Sequence, residues 1–153
     1  MEKIAVFPGS FDPITKGHES IIRRALPLFD KVVIAIGLNP EKKTFFPLEK
    51  RLKWLREVFG DEPRIVIEQY EGLTVGYCKS INAGYILRGL RTAADFEFER
   101  GIGQMNKAMV PDLETVFLLS VPEYSALSSS IVRDIYRNGG DIRPFVPEKM
   151  KIK

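Results

Sequence analysis

Ile4-Ala5-Val6-Phe7-Pro8-Gly9-Ser10-Phe11-Asp12-Pro13-Ile14-Thr15-Lys16-Gly17-His18 opens as a short apolar run and breaks off at a proline and a glycine. The run reads as a buried strand, the break as a tight turn, and the residues after the turn as a helix beginning near Thr15 or Lys16. Gly9 tolerates backbone angles that other residues resist, and Pro13 fixes its own φ. The turn is therefore read as stiff, with little bulk between its backbone and a ligand. A helix starting there aims its unpaired N–H groups and the positive end of its dipole at the mouth of the turn, with His18 in its first turn. The expectation is an anion-binding site that contains the chain's one imidazole.

Outward from this unit, strand and helix patterns alternate. Ile21, Ile22, Ala25, Leu26 and Phe29 recur at helical spacing, and Pro27 predicts a kink or stop. Lys31 to Leu38 is a β-branched run expected to be buried on both faces. A polar loop over 39–44 leads to a helix from about Pro47 to Phe59, with Leu48, Leu52, Leu55 and Phe59 inward and Gly60 as its C-terminal cap. Strands are predicted over 64–70, 85–90 and 114–121. Helices are predicted over 72–81, after the cap Thr92, and over 128–138, with a short turn or helix at 147–150. Phe98, Ile102, Met105 and Met109 form the apolar stripe of the helix after Thr92, in which Gly101 and Gly103 suggest close packing against another helix, one from a second subunit included.

Strands joined through helices are usually parallel with right-handed crossovers. The expected fold is a doubly wound, Rossmann-like α/β sheet of about five strands, in a single domain over 1–153. In such a sheet ligands bind outside the carboxyl ends of the strands, where strand order reverses.

The chain has 153 residues, 44% apolar and 28% charged, a globular composition with no run long enough for a membrane helix. The start lacks the pattern of a secretory signal, and the single cysteine, Cys78, excludes an internal disulfide, so a cytoplasmic location is expected. A net charge of +3 and a pI near 9.0 come without a long basic run. Phosphorylated small molecules are therefore expected as partners rather than nucleic acid.

Four groups are expected at the ligand edge: Ser10 and Phe11 with His18, Lys42, the Arg88-Gly89-Leu90-Arg91 run, and Tyr124-Ser125-Ala126-Leu127-Ser128-Ser129-Ser130. These are cations, hydroxyls and backbone donors. One histidine and one cysteine cannot build a zinc site of the usual kind, and no Ser-His-Asp set is apparent. A site rich in donors and poor in bases suits nucleotidyl transfer, in which positioning and charge stabilisation dominate. Taken singly, Lys42 beside Lys43 reads as a solvated loop charge. Glu99 reads as a solvent-facing helix residue, and Arg88 and Arg91 as surface ion-pairing residues.

The opening motif resembles the HxGH-type nucleotidyltransferase superfamily, with Thr15-Lys16-Gly17-His18 in place of the fuller motif. The form Ser-Phe-Asp-Pro-x-Thr-x-Gly-His is similar to its bacterial phosphopantetheine adenylyltransferase branch. Arg88-Gly89-Leu90-Arg91 followed by Ala94-Asp95-Phe96-Glu97, and Leu127-Ser128-Ser129-Ser130-Ile131-Val132-Arg133, look like two further signatures of that branch. The resemblance implies a magnesium-dependent reaction of ATP with 4'-phosphopantetheine, giving dephospho-coenzyme A and pyrophosphate. It also implies a cytoplasmic homohexamer inhibited by coenzyme A. His18 would stabilise the transition state, with Lys42 and Arg91 also catalytic. Ser10, Phe11, His18, Gly89, Leu90, Arg91, Glu99 and Tyr124 to Ser130 would bind ATP, and Ser10, Lys42, Thr74 and Arg88 the acceptor. A nucleotide or coenzyme A sensor of the same fold that lacks activity is the alternative.

Overall fold

The computed structural model describes residues 1–152. Five strands, β1 (Ile4–Gly9), β2 (Lys31–Leu38), β3 (Ile65–Glu71), β4 (Tyr85–Leu90) and β5 (Glu114–Leu119), alternate with five helices, α1 (Lys16–Ala25), α2 (Leu48–Phe59), α3 (Thr74–Ser80), α4 (Ala93–Met109) and α5 (Ser129–Arg137). All pairings are parallel, in the order β3-β2-β1-β4-β5. The chain winds outward from β1 in both directions, as the alternating pattern predicts.

Strand alternation divides the core between the two faces of the sheet. Ala5, Phe7, Val32, Ile34, Ile36 and Leu87 join Ile21, Ile22, Trp54, Leu55, Val58, Phe59 and Val132 on the face covered by α1, α2 and α5. Ile4, Val6, Val33, Ala35 and Ile86 pack with Val75, Cys78 and Leu113 on the other. Full burial of one such side chain contributes about 1.5–3 kcal/mol. The first helix gives way to a 3-10 turn over Leu26–Leu28, where Pro27 removes the donor that would continue it.

The ladder between β1 and β4 has only two residue pairs, Ala5 with Tyr85 and Val6 with Ile86. Beyond them Arg88 Nη1 donates to the carbonyl of Pro8 at 2.7 Å, so a side chain takes the place of a ladder bond. The strand-order reversal and the end of this ladder coincide, and the crevice opens there.

Several boundaries differ from expectation. β5 stops at Leu119, which faces the last residue of β4, Leu90, and a 3-10 turn at Pro122–Tyr124 follows. A 3-10 turn at Arg143–Phe145 was not legible in the sequence, whereas the segment 147–150 is a turn as expected, closed by Met150 N–H to Pro147 O at 3.1 Å. The largest correction concerns α4. Its expected inward stripe is exposed: Phe98 by 68%, Ile102 by 42%, Met105 by 62% and Met109 by 52%. Glu99 is instead the buried residue of α4. The helix is oriented by Glu99 and by Gly103, where an added Cβ would lie 3.3 Å from Thr115 Oγ1, and this turns the apolar stripe outward. No heavy atom within 4 Å constrains a side chain at Gly101.

Candidate active site

The turn after β1 holds its shape differently from the expectation. The left-handed residue is Phe11, at φ 47°, not Gly9. Gly9 contributes space: a Cβ there would lie 3.2 Å from the Phe11 ring. The buried Phe11 ring packs edge-on against Phe7 and against His18, with centroids 5.6 and 5.2 Å apart.

Thr15 caps α1, and its partner in the capping box is His18. The Thr15 N–H donates to His18 Nδ1 at 2.9 Å, and the His18 N–H donates to Thr15 Oγ1 at 3.3 Å. In an ordinary capping box the third helical residue is Glu or Gln. Here an imidazole takes that place, with a chemical consequence. A peptide N–H always carries its proton, so Nδ1 must be the acceptor and the ring proton sits on Nε2. Burial, and then the charges of Arg88 and Arg91, lower the His18 pKa from 6.5 to about 4. At neutral pH His18 is an uncharged donor through Nε2.

Arg88 stands on β4 beside the end of the ladder. It forks onto Glu99, Nε to Oε1 at 3.0 Å and Nη2 to Oε2 at 2.7 Å, and its Nη1 reaches Pro8 O. Of the five N–H donors of a guanidinium, two remain for a ligand. Glu99 is therefore neither solvent-facing nor unpaired. Arg91 is fixed by Asp95, Nε to Oδ2 at 3.2 Å, and donates through Nη1 to Leu127 O at 3.2 Å. This ties β4 to the segment before α5.

Two cavities meet at this point. One, of about 720 Å³, is lined by Ser10, Gly37, Lys42, Tyr70, Thr74, Arg88, Phe98 and Ile102 among others. The second, of about 300 Å³, is lined by Phe11, Thr15, His18, Gly89, Arg91, Tyr124, Leu127, Ser128 and Ser129. Pro8, Gly9, Ser10, Arg88 and Glu99 belong to both walls. A third recess of about 560 Å³ adjoins Ser10 and carries Lys42, Lys43, Arg133 and Arg137. Such an arrangement can hold two anionic molecules with their reacting ends at a shared, donor-rich wall.

Residues 6–135 match the model of the cytidylyltransferase-like family. A phosphopantetheine adenylyltransferase of Flavobacterium psychrophilum is 53% identical over 97% of this chain and 98% of its own length. One from Carboxydothermus hydrogenoformans is 50% identical over 99% of this chain and 93% of its own length. This chain belongs to the phosphopantetheine adenylyltransferase family. As a member of that family it is a nucleotidyltransferase that serves coenzyme A biosynthesis. Solved structures share the fold at lower identity. A putative nicotinate-nucleotide adenylyltransferase from Vibrio parahaemolyticus superposes with a TM-score of 0.68 at 20% identity, covering 97% of this chain and 96% of that one. A bifunctional NMN adenylyltransferase/ADP ribose pyrophosphatase from Francisella tularensis, complexed with AMP and a manganese ion, gives 0.65 at 20% identity, over 95% of this chain and 44% of that one.

Within this adenylyltransferase frame the sequence-predicted residues are not all equivalent. Leu90 is 7% exposed, with its side chain in the core, so it offers the site only its backbone. Ser125 and Ala126 lie outside the two cavity walls, the Ser125 hydroxyl donating to Pro122 O at 2.9 Å. Ser130 lines the third recess and accepts from Arg133 Nη2 at 3.1 Å. Ser129 donates to Pro13 O at 2.8 Å and so also supports the turn. Lys42 is exposed on its loop. Thr74 begins α3 and shares a 2.7 Å hydrogen bond with the hydroxyl of Tyr70, which the sequence did not single out.

Sequence reasoning also missed the supports of the turn. Arg133 Nη1 donates to Asp12 O at 2.8 Å, and Arg51 Nη1 to Ser10 O at 2.7 Å. The Asp12 carboxylate accepts from the Phe45 and Phe46 N–H groups at 2.7 and 2.8 Å. One signal could have found Arg51. It stands three residues after Leu48 and four before Leu55, a charge on the core-facing side of a helix. Its burial lowers its pKa, partly offset by Asp12.

Proposed function

We propose that this chain transfers the adenylyl group of ATP to 4'-phosphopantetheine, with dephospho-coenzyme A and pyrophosphate as products. The observation that carries the reading is the pair of cavities joined at Ser10, Arg88 and Glu99, with a neutral histidine in the wall of the smaller one. ATP would take the smaller cavity, among Phe11, His18, Gly89, Arg91 and the Tyr124–Ser129 segment, and the acceptor the larger one, with Ser10, Lys42, Thr74 and Arg88.

The chemistry follows from these placements. A phosphate monoester has its second pKa near ~6 and is largely dianionic at neutral pH, so the nucleophile needs no general base. An acceptor phosphate oxygen attacks the α-phosphorus, the new P–O bond forms, and the bond from the α-phosphorus to the bridging oxygen breaks with pyrophosphate as leaving group. Charge moves onto the oxygens of the transferred group and of the leaving group. His18 donates its Nε2–H to an α-phosphoryl oxygen and takes no proton, because its Nδ1 is engaged by Thr15 and its pKa is low. The two unused N–H groups of Arg88 hold the acceptor phosphate, while Lys42 and Arg91 offset the negative charge. Since Arg88 and Arg91 are already fixed by Glu99 and Asp95, these two donors reorganise little during the reaction.

Magnesium fits such a site as a companion of the triphosphate. No group of three or more His, Cys, Asp or Glu among the described residues could hold a metal ion. The nearby carboxylates, Asp95 and Glu99, are in ion pairs. This donor set suits a cation bound by phosphate oxygens and water, where it supplies charge neutralisation. The same reading implies a cytoplasmic homohexamer inhibited by coenzyme A, and the uncovered stripe on α4 supports association with further copies.

The test is pyrophosphate release from ATP and magnesium with 4'-phosphopantetheine, nicotinamide mononucleotide or glycerol 3-phosphate offered separately. Release with phosphopantetheine alone is expected. Release with another acceptor overturns the substrate, and ATP binding without release favours a sensor.

A further inference from the structure

The two segments that carry Ser10 and Lys42 are held together by two buried charged side chains, Arg51 in the wall of the larger cavity and Asp12 in that of the third recess. Arg51 is 5% exposed and Asp12 is 4% exposed. Such burial of charge is unfavourable unless every polar atom is matched. Here the match is made across two loops. From α2, Arg51 reaches forward to Ser10 O at 2.7 Å, while its Nε and Nη2 bond Phe46 O and Thr44 Oγ1 at 3.0 and 3.4 Å. From the β1–α1 turn, Asp12 reaches the opposite way to the Phe45 and Phe46 N–H groups. The two side chains therefore bolt the loop before α2 to the turn after β1 from both directions. Lys42 lies in that loop, four residues before Phe46, on a flexible side chain whose reach depends on where the loop backbone sits.

We propose that Arg51 is a positioning residue for the transfer: with Asp12 it fixes the Lys42 loop against the Ser10 turn, and so sets where the acceptor phosphate lies relative to the nucleotide. This rests on the function proposed above. The bridge requires a guanidinium. A lysine keeps the charge, but its point-like ammonium cannot span the carbonyl of one loop together with the carbonyl and hydroxyl of the other.

The experiment is a double-mutant cycle of Arg51→Lys with Lys42→Ala. Thermal unfolding is followed in parallel to confirm folded variants, and kcat and KM are measured for each substrate. Because small misplacements of reacting groups have large kinetic effects, Arg51→Lys should lower kcat/KM for phosphopantetheine roughly tenfold or more when Lys42 is present. The KM for ATP should change by less than about twofold. If Arg51 acts through Lys42, the same substitution in the Lys42→Ala background should cost less than about twofold, the signature of coupled sites. Losses that simply multiply show a general structural role and overturn the proposal. A second measurement does not depend on activity. Amide hydrogen exchange of the segment 41–46 should accelerate in Arg51→Lys while that of β2 stays as in the wild type, and unchanged exchange at 41–46 overturns the bridge itself. A wild type that turns over no acceptor defeats the functional reading and takes the kinetic half of this proposal with it. Multiplicative losses in an active wild type defeat this proposal alone.

Discussion

His18 is the chain's one histidine, so its titration can be followed without interference. The perturbation is a pH series from 8 to 3.5 on the free protein. The pKa falls from 6.5 to about 4, a difference that corresponds to about 3 kcal/mol between the two protonation states. The sign follows from linkage. The folded pKa lies below the unfolded one, so between them the unfolded chain binds more protons and stability rises with pH. This contribution is fully present above pH 6.5 and is lost as pH falls from 6.5 towards 4. By pH 5 the loss amounts to at most about 2 kcal/mol. Carboxylates titrate in the same window, so the comparison is with His18→Gln, which supplies an ordinary capping-box residue at the same position. The difference between the two proteins in urea-unfolding free energy should shift by that amount between pH 7 and pH 5. In the folded wild type, the ring-proton resonance should titrate near 4, and the nitrogen shifts should show the Nε2–H tautomer at pH 7. Phosphate binding offsets the charges of Arg88 and Arg91, so saturating ATP should move the midpoint up. A midpoint at or above 6.5 in the free protein, or an Nδ1–H tautomer, would refute both the capping role of the imidazole and its assignment as a neutral donor.

His18→Ala should bind ATP by calorimetry but lose roughly 10²- to 10³-fold in turnover, as for removal of a preorganised donor; unchanged turnover removes His18 from the mechanism. Arg88→Ala should raise the KM for phosphopantetheine more than that for ATP, since the lost donors face the shared wall. It should also lower stability by about 1–3 kcal/mol, because the buried Glu99 is left without its half-exposed partner; an effect confined to ATP reverses the assignment. Chelation of magnesium should abolish pyrophosphate release without changing the unfolding temperature of the nucleotide-free protein. On α4, Met105→Lys places a charge within the exposed apolar stripe and outside the cavity walls, and should shift sedimentation towards smaller species; an unchanged sedimentation coefficient shows that this face is not covered by another copy.

What could be read in the sequence was local. The bounds of β2 followed from a β-branched run, and the kink at Pro27 followed from a missing donor. The ligand edge followed from the alternation of strand and helix. The doubling of Thr15 and His18 as a capping box was within reach, because the two are three residues apart, but the usual Glu or Gln signal was absent. Other features depend on partners distant in sequence. Asp12 meets Phe45 and Phe46 more than thirty residues on, and nothing in either segment names the other. Glu99 looked like a surface residue because its position on α4 is decided by Arg88, on a strand, rather than by the spacing of apolar residues along the helix. The same cause turned the apolar stripe of α4 outward. Gly9 was read for backbone freedom, yet its role is the room it leaves for the Phe11 ring.

The two cavities draw their private walls from different parts of the chain. Most of the larger one comes from the β2–α2 loop, the end of β3, the start of α3 and the side of α4 that carries Phe98, Ile102 and Asn106, whereas the smaller one is framed by α1, the end of β4 and the approach to α5. Only the residues at the seam serve both. If the smaller cavity takes the nucleotide as proposed, one acceptor can be exchanged for another by redrawing the first set of walls, leaving the histidine and its threonine partner untouched. An engineer who wants a new acceptor should begin at Tyr70, Thr74, Phe98 and Ile102, and leave the first eighteen residues alone.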